Sequence, residues 1–417
     1  MTPAAVAAAV ADAHRREWGF VLAATVRVTR DLDLAEECAQ DAFARALAAW
    51  PVDGVPQRPG AWLTTVARRR ALDVLRREAA LRRALPLLVV DELVEPDFAV
   101  DDTDAIADDR LRLVFTCAHP ALHPDARVAL TLRLLCGLTT AEIAKAFLVA
   151  EPTMAARLTR AKKKIALARI PYRVPGAAQL PERLDAVLTV VHLLFTVGHT
   201  APSGPDLVRS DLVERARDLA RMLRQLLPAD PEVAGLLALI ELTHARRHTR
   251  TDESGRLLLL DEQDRSRWDR AAIEAAIPLV RESLRARPPG RFALQAAIAA
   301  VHAEAPSYGD TDWREIVALY GLLLARWPSP VVALNRAVAV GLAEGPAAGL
   351  AALEPLGSEA ALATYAYLPA ARADFLRRLG RYDEAATAYA EAALLTDNDV
   401  ERAFLRGRYD EVRAATD

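Results

Sequence analysis

The chain has 417 residues, 52% of them hydrophobic and 26% charged, and its 53 basic and 56 acidic residues leave a net charge of -3. That length suggests two or three domains, and that composition excludes wholesale disorder and a polycationic chain. Only 6% of the residues are aromatic, so the core must be built mostly from Ala, Leu and Val, which favours closely packed helices over a sheet sandwich.

Three cysteines, Cys38, Cys117 and Cys136, make no disulfide framework and fit a reducing cytosol. Met1 to Val10 is Ala-rich without a basic leader, so no signal peptide is expected. The uncharged stretch Ala186 to Pro205 loses its apolar character by Val197, too short to span a bilayer. A soluble, cytoplasmic protein with no membrane partner is the expectation. Lys145, Lys162, Lys163 and Lys164 are the only lysines. Nearly all positive charge is therefore arginine, suited to bidentate phosphate and base contacts, although genomic base composition accounts for most of that bias.

Helical periodicity dominates and no alternating strand run appears, so the expected fold class is all-α. In the first block, Asp31 to Leu47 divides on a helix. Leu34, Cys38, Ala39, Ala42, Phe43 and Leu47 form the expected buried side, and Glu36, Glu37, Gln40 and Asp41 an acidic, polar one. In Arg58 to Arg77, Leu63, Ala67 and Val74 look inward. Arg69, Arg70, Asp73, Arg76 and Arg77 recur at helical spacing on another face, a track for phosphates with salt-sensitive affinity.

Asp91 to Asp109 has no basic residue and reads as a solvated, self-repelling linker. A second helical block follows. Gly137 ends one helix, Thr139 and Glu142 make a capping box that opens the next, and Glu151 with Pro152 opens a third. On that third helix Met154, Leu158, Ala161 and Ile165 form one apolar stripe, while Arg157, Arg160 and Lys164 form a basic one. This is a helix-turn-helix layout, whose second helix enters the major groove. Pro171, Pro175, Gly176 and Pro181 then punctuate the chain. In the long helical remainder, Gly380 to Ala385 with Tyr389 and Ala392 has tetratricopeptide-like spacing. Gly345 with Leu350, and Ile316, Tyr320 and Pro328, lie roughly one such unit further upstream each time.

Three segments in this order carry a resemblance. Asp33 to Phe43 is similar to the D-x-A-E-D-x-x-Q-E-x-F helix of extracytoplasmic-function sigma factors of the sigma-70 family. Pro59 to Asp73 resembles their promoter-melting segment, and Leu138 to Ala144 with Arg157 to Lys162 resembles their closing helix-turn-helix. The helical extension is similar to the subgroup with a tetratricopeptide-like C-terminal half. The resemblance implies a core-polymerase and -10 domain over residues 8–83, an acidic linker over 84–109, a -35 domain over 110–170 and a regulatory helical domain over 171–417.

The same resemblance implies roles for individual residues. Glu36, Glu37, Gln40 and Asp41 would dock on core RNA polymerase, with Phe43 as a packing residue. Trp62, Thr64, Thr65, Arg68 and Arg69 would open and read the -10 element of promoter DNA, with Arg70, Arg76 and Arg77 alongside on the phosphate track. Glu151, Thr153, Arg157, Arg160 and Lys164 would contact the -35 element. Arg69 stands where the family has Asn. Pro152, Ala155 and Ala156 leave few side chains for base edges, so -35 recognition leans on DNA shape. The C-terminal domain would act as an intramolecular regulator.

Other readings find less support. Cys117, His119 and His123 lack a fourth metal ligand and read as a turn. His244 and His248 fit a solvated helix face, and no metal or cofactor is expected. A phosphate-cradling loop and a nucleophile elbow are both missing, so an enzyme in the Leu180 to Asp417 half has no convergent polar groups to rest on. A helix-turn-helix activator with a tetratricopeptide sensor would need neither the acidic helix nor the Arg69 to Arg77 face.

Overall fold

The computed structural model describes residues 3–84, 109–147, 149–176 and 179–415. Nearly all of the expected acidic linker, residues 85–108, lies outside the described residues. The protein is all-α, as the periodicity predicts. The chain divides into two compact units, Met1–Leu193 and Leu194–Asp417.

The first unit opens with α1 (Pro3–Thr29), α2 (Leu32–Asp53) and α3 (Pro59–Ala84), each packed on the other two. The Asp31 carboxylate starts α2 by accepting from the amides of Asp33 (2.8 Å) and Leu34 (2.9 Å). Ala35, Ala39, Ala42 and Ala46 are all fully buried along one stripe of α2. Small side chains at that spacing let neighbouring helices approach closely. Leu47, expected to face inward, is 50% exposed, one residue beyond the Ala46 it would have to replace on the stripe.

The second block comprises α4 (Asp109–Cys117), α5 (Pro124–Leu134), α6 (Thr140–Ala146) and α7 (Glu151–Leu167). It forms one unit with the first block, because α1 packs along α4 and against the turn after α5. Gly19 lies so near that turn that a Cβ there would sit 2.5 Å from the Leu135 carbonyl oxygen. Gly137 adopts a φ of +67°, and a Cβ on it would come within 3.0 Å of the Trp18 ring. Both positions therefore need glycine, one for close approach and one for backbone conformation as well. The Tyr172 hydroxyl reaches the carbonyls of Ala23 (2.8 Å) and Asp109 (2.9 Å), which explains why residue 171, the expected start of the C-terminal domain, falls inside the first unit. Helix α8 (Leu180–His199) runs across the division between the units.

The second unit is a succession of helices, α9 (Ser210–Leu226), α10 (Pro231–His244), α11 (Arg270–Ser283), α12 (Arg291–Glu304), α13 (Trp313–Arg326), α14 (Pro330–Glu344), α15 (Pro346–Leu353), α16 (Tyr367–Arg378), α17 (Tyr382–Leu395) and α18 (Asp399–Ala414), each packed on the next. Ala385, Tyr389 and Ala392 are buried where α17 meets its neighbours. A two-residue parallel pair, β1 (Ser203–Gly204) with β2 (Asp397–Asn398), ties the start of this unit to its last helix. The buried Asn398 amide secures the tie by donating to the carbonyls of Ala201 (3.0 Å) and Asp206 (2.9 Å). No described helix is long and apolar enough to cross a membrane.

Candidate nucleic-acid interface

The acidic side of α2 does not present one uniform face. Glu37 and Gln40 are exposed, and Asp41 is partly covered because it accepts from Arg70 Nε at 2.9 Å. Glu36 is different: it is only 6% exposed. One of its carboxylate oxygens accepts from Arg133 Nε at 2.8 Å on α5, and the other from Lys162 Nζ at 2.6 Å on α7. Lys162 also donates to Asp33 at 2.8 Å. Burial works against the Lys162 ammonium, but its hydrogen bonds to Asp33 and Glu36 outweigh it and hold its pKa above the ordinary value.

The expectation that Glu36 lies on the free acidic face is thus corrected. Leu32, Glu36, Ala39 and Phe43 follow one another at i, i+4, i+7 and i+11, the spacing of a buried stripe. Counting the turn rather than the residue type places Glu36 inward. Phe43 is a packing residue, 6% exposed, with ring contacts to His14 (5.0 Å) and Trp18 (5.9 Å).

Helix α3 carries the second surface. Leu63 and Ala67 are fully buried, while Arg68, Arg69, Arg76 and Arg77 are exposed. At about 100° per residue, Trp62, Thr65, Arg69 and Arg76 fall within one sector of roughly 60°. Trp62 is half-buried, edge-on to the buried Trp50 at 5.8 Å, so its ring is both an anchor and partly accessible. Thr64 is half-buried, and the exposed Thr65 hydroxyl donates to the Ala61 carbonyl at 2.9 Å. Arg70 departs from its basic neighbours: its hydrogen bond to Asp41 ties α3 to α2 and raises its pKa. Arg76 pairs loosely with Asp73 at 3.8 Å. Five of the eight residues expected at the -10 element are therefore exposed at the surface: Thr65, Arg68, Arg69, Arg76 and Arg77.

The third surface is the helix-turn-helix. The capping box forms as expected, with Thr139 N donating to Glu142 at 2.8 Å and Glu142 N donating to the Thr139 hydroxyl at 3.2 Å. Met154, Leu158, Ala161 and Ile165 are buried on α7. Glu151, Thr153, Arg160 and Lys164 are exposed on its other sides. Arg157 is held instead, 3.3 Å from Asp125 and 5.7 Å above the Phe147 ring. It braces α7 against α5 and the end of α6.

Sequence reading misses Arg133 and Lys162, because their significance lies in a partner about a hundred residues away. Cys117 and His119 serve the fold: burial pushes the Cys117 thiol up to about 12, and His119 Nδ1 accepts from the Ala121 amide at 3.1 Å. Among the described residues no cluster of potential ligands could hold a metal ion. His244 and His248 do not share a solvated helix face. His244 ends α10 with its side chain 12% exposed, and burial together with Arg217 and Arg247 pulls it down to about 4. His248 belongs to the turn beyond.

An exposed arginine face on α3 and a helix-turn-helix with basic residues on its outer side suit binding to DNA. Residues 14–81 match sigma-70 region 2, and residues 112–165 match sigma-70 region 4. The chain thus carries the two domains of sigma-70 factors, which bind core RNA polymerase and promoter DNA. Residues 183–284 match a family of unknown function, DUF6596. The chain is 43% identical over 396 residues to an uncharacterized protein of Rhizobium meliloti (strain 1021), covering 94% of this chain and 93% of that one. No solved structure matches it.

Proposed function

We propose that this sigma factor is of the extracytoplasmic-function type, built from regions 2 and 4 with a regulatory, tetratricopeptide-like C-terminal half. Glu37, Gln40 and Asp41 dock on core polymerase. Trp62, Thr64, Thr65, Arg68 and Arg69 engage the -10 element, and Arg76 and Arg77 extend the phosphate track. Arg70 orients α3 through Asp41. Glu151, Thr153, Arg160 and Lys164 face the -35 element, with Arg157 as the brace that sets the angle of α7. The observation that carries this reading is the co-occurrence, in one unit, of exposed Glu37 and Gln40 on α2 and exposed basic faces on α3 and α7.

Glu36 then has a second meaning. It belongs to the helix expected to meet polymerase, yet Arg133 and Lys162 of region 4 already hold it. Promoter binding requires regions 2 and 4 to reach two separated DNA elements, so this contact must yield when the factor engages polymerase. The C-terminal half is proposed to bias that opening in cis.

Glu37→Lys in the full chain tests the docking assignment. Affinity for purified core polymerase falls by about tenfold, the scale of one charge-assisted contact, with the circular-dichroism spectrum unchanged. Unaltered affinity refutes the assignment.

A further inference from the structure

Between α7 and α8 the chain does not leave the first unit directly; it turns back across it. Arg169, just past α7, takes a φ of +48°, and Arg30, just past α1, takes a φ of +55°. Residues other than glycine rarely adopt that backbone, and such strain gathers at switches and clamps. Arg169 leads into residues 170–174, and Arg30 meets the same stretch from α1. Its guanidinium donates to the Tyr172 carbonyl at 3.5 Å and lies over the Tyr172 ring, 5.9 Å from its centre.

The stretch is anchored along its length. Ile170 and Val174 are buried at its two ends. The Pro171 carbonyl accepts from the Thr116 hydroxyl of α4 at 3.4 Å. The Tyr172 hydroxyl shares its one proton between the Ala23 carbonyl of α1 at 2.8 Å and the Asp109 carbonyl of α4 at 2.9 Å. Burial, then Asp109, holds that phenol well above its ordinary value, so it is a donor at neutral pH.

These anchors straddle a seam. Ala23 falls within the region 2 match and Thr116 within the region 4 match, whereas residues 170–174 lie outside every match. The two helices also touch directly. The Asp109 carboxylate pairs with Arg27 at 3.7 Å and Arg112 at 2.7 Å, and the Arg110 guanidinium stacks 3.6 Å above the Phe20 ring. Tyr172 adds to this seam the stretch that leads into α8 and on to the second unit.

We propose that residues 170–174 are a latch, with Tyr172 as its catch, that holds regions 2 and 4 closed. The inference rests on the sigma-factor reading, in which polymerase binding parts the two regions. When α1 and α4 separate, one hydroxyl cannot stay between both carbonyls, so Tyr172 must leave its seat. A pull on the chain from α8 would release the same catch and shift the population towards the open form.

Tyr172→Phe in the full chain keeps the ring and deletes the shared proton. Hydrogen exchange read by mass spectrometry is expected to quicken in peptides around Ala23 and from Asp109 to Thr116, and to stay unchanged in α18. Apparent affinity for purified core polymerase is expected to rise about fivefold, the worth of one hydrogen bond, because the closed form competes with binding. Arg30→Gln, at an exposed position, is expected to move both readouts the same way by a smaller factor, which tests the latch without touching Tyr172. Exchange that neither variant alters overturns the latch. So does faster exchange with affinity unchanged or lowered, the signature of a merely structural tyrosine. The exchange measurement needs no polymerase, and an unaltered chain that fails to bind core polymerase refutes the sigma-factor reading instead.

Discussion

Glu36→Ala removes the one carboxylate that both Arg133 and Lys162 use to join region 2 to region 4. The Glu36 side chain is 8% exposed, and those of Arg133 and Lys162 are 23% and 15% exposed. Deleting one partner of a buried pair costs about 3–5 kcal/mol, because the remaining charges are left uncompensated. Lys162 keeps its hydrogen bond to Asp33, and residual access of water screens both cations, placing the substitution near the low end, at about 3 kcal/mol. For a folded unit of this size each kcal/mol moves the midpoint by about 2–4 °C, so the expected fall is about 6–12 °C. Glu37, one residue along and exposed, is the control, because surface substitutions stay within about 0.5 kcal/mol. Scanning calorimetry of the full-length variants reads the difference. A double-mutant cycle with Lys162→Met then isolates the coupling, expected at about 1–3 kcal/mol. Equal midpoints for Glu36→Ala and Glu37→Ala would refute the claim that this contact holds the two regions together.

Further outcomes follow from the exposed basic face and from the buried histidines. Arg69→Ala and Arg76→Ala each lower the slope of log affinity against log salt for promoter DNA by about 0.9, the value of one phosphate contact, and anisotropy titrations at several salt concentrations measure it; an unchanged slope places those arginines off the DNA. His302 titrates at about 4 in the folded chain and nearer 6.5 when unfolded, so the unfolded chain takes up its proton first as pH falls. Its contribution is complete above pH 6.5 and is lost on acidification towards pH 4, amounting to about 3 kcal/mol. His302→Phe should flatten the stability curve over that window in denaturant titrations, and curves parallel to the unaltered protein's would contradict it.

Much of the fold was legible because short-range chemistry decides it. The capping box of Thr139 and Glu142, the apolar stripe from Met154 to Ile165 and the helix end at Gly137 each depend on neighbours within a few residues, and all form as the spacing predicts. Glu36 was misplaced for the opposite reason. A glutamate among acidic neighbours reads as solvated surface, and only the cations arriving from α5 and α7 make its burial tolerable. The same holds for Arg70, read onto the phosphate track, and Arg157, read as a contact to the -35 element, which Asp41 and Asp125 engage instead. Gly19 carries no turn signal at all; its necessity comes from a carbonyl more than a hundred residues away.

The most direct test of the whole account is run-off transcription with purified core polymerase and the full chain on a library of promoter fragments. The account predicts starts confined to templates that carry a -35 and a -10 element at fixed separation, weakened by Glu37→Lys in the factor. Starts at random positions, or none on any template, would contradict it.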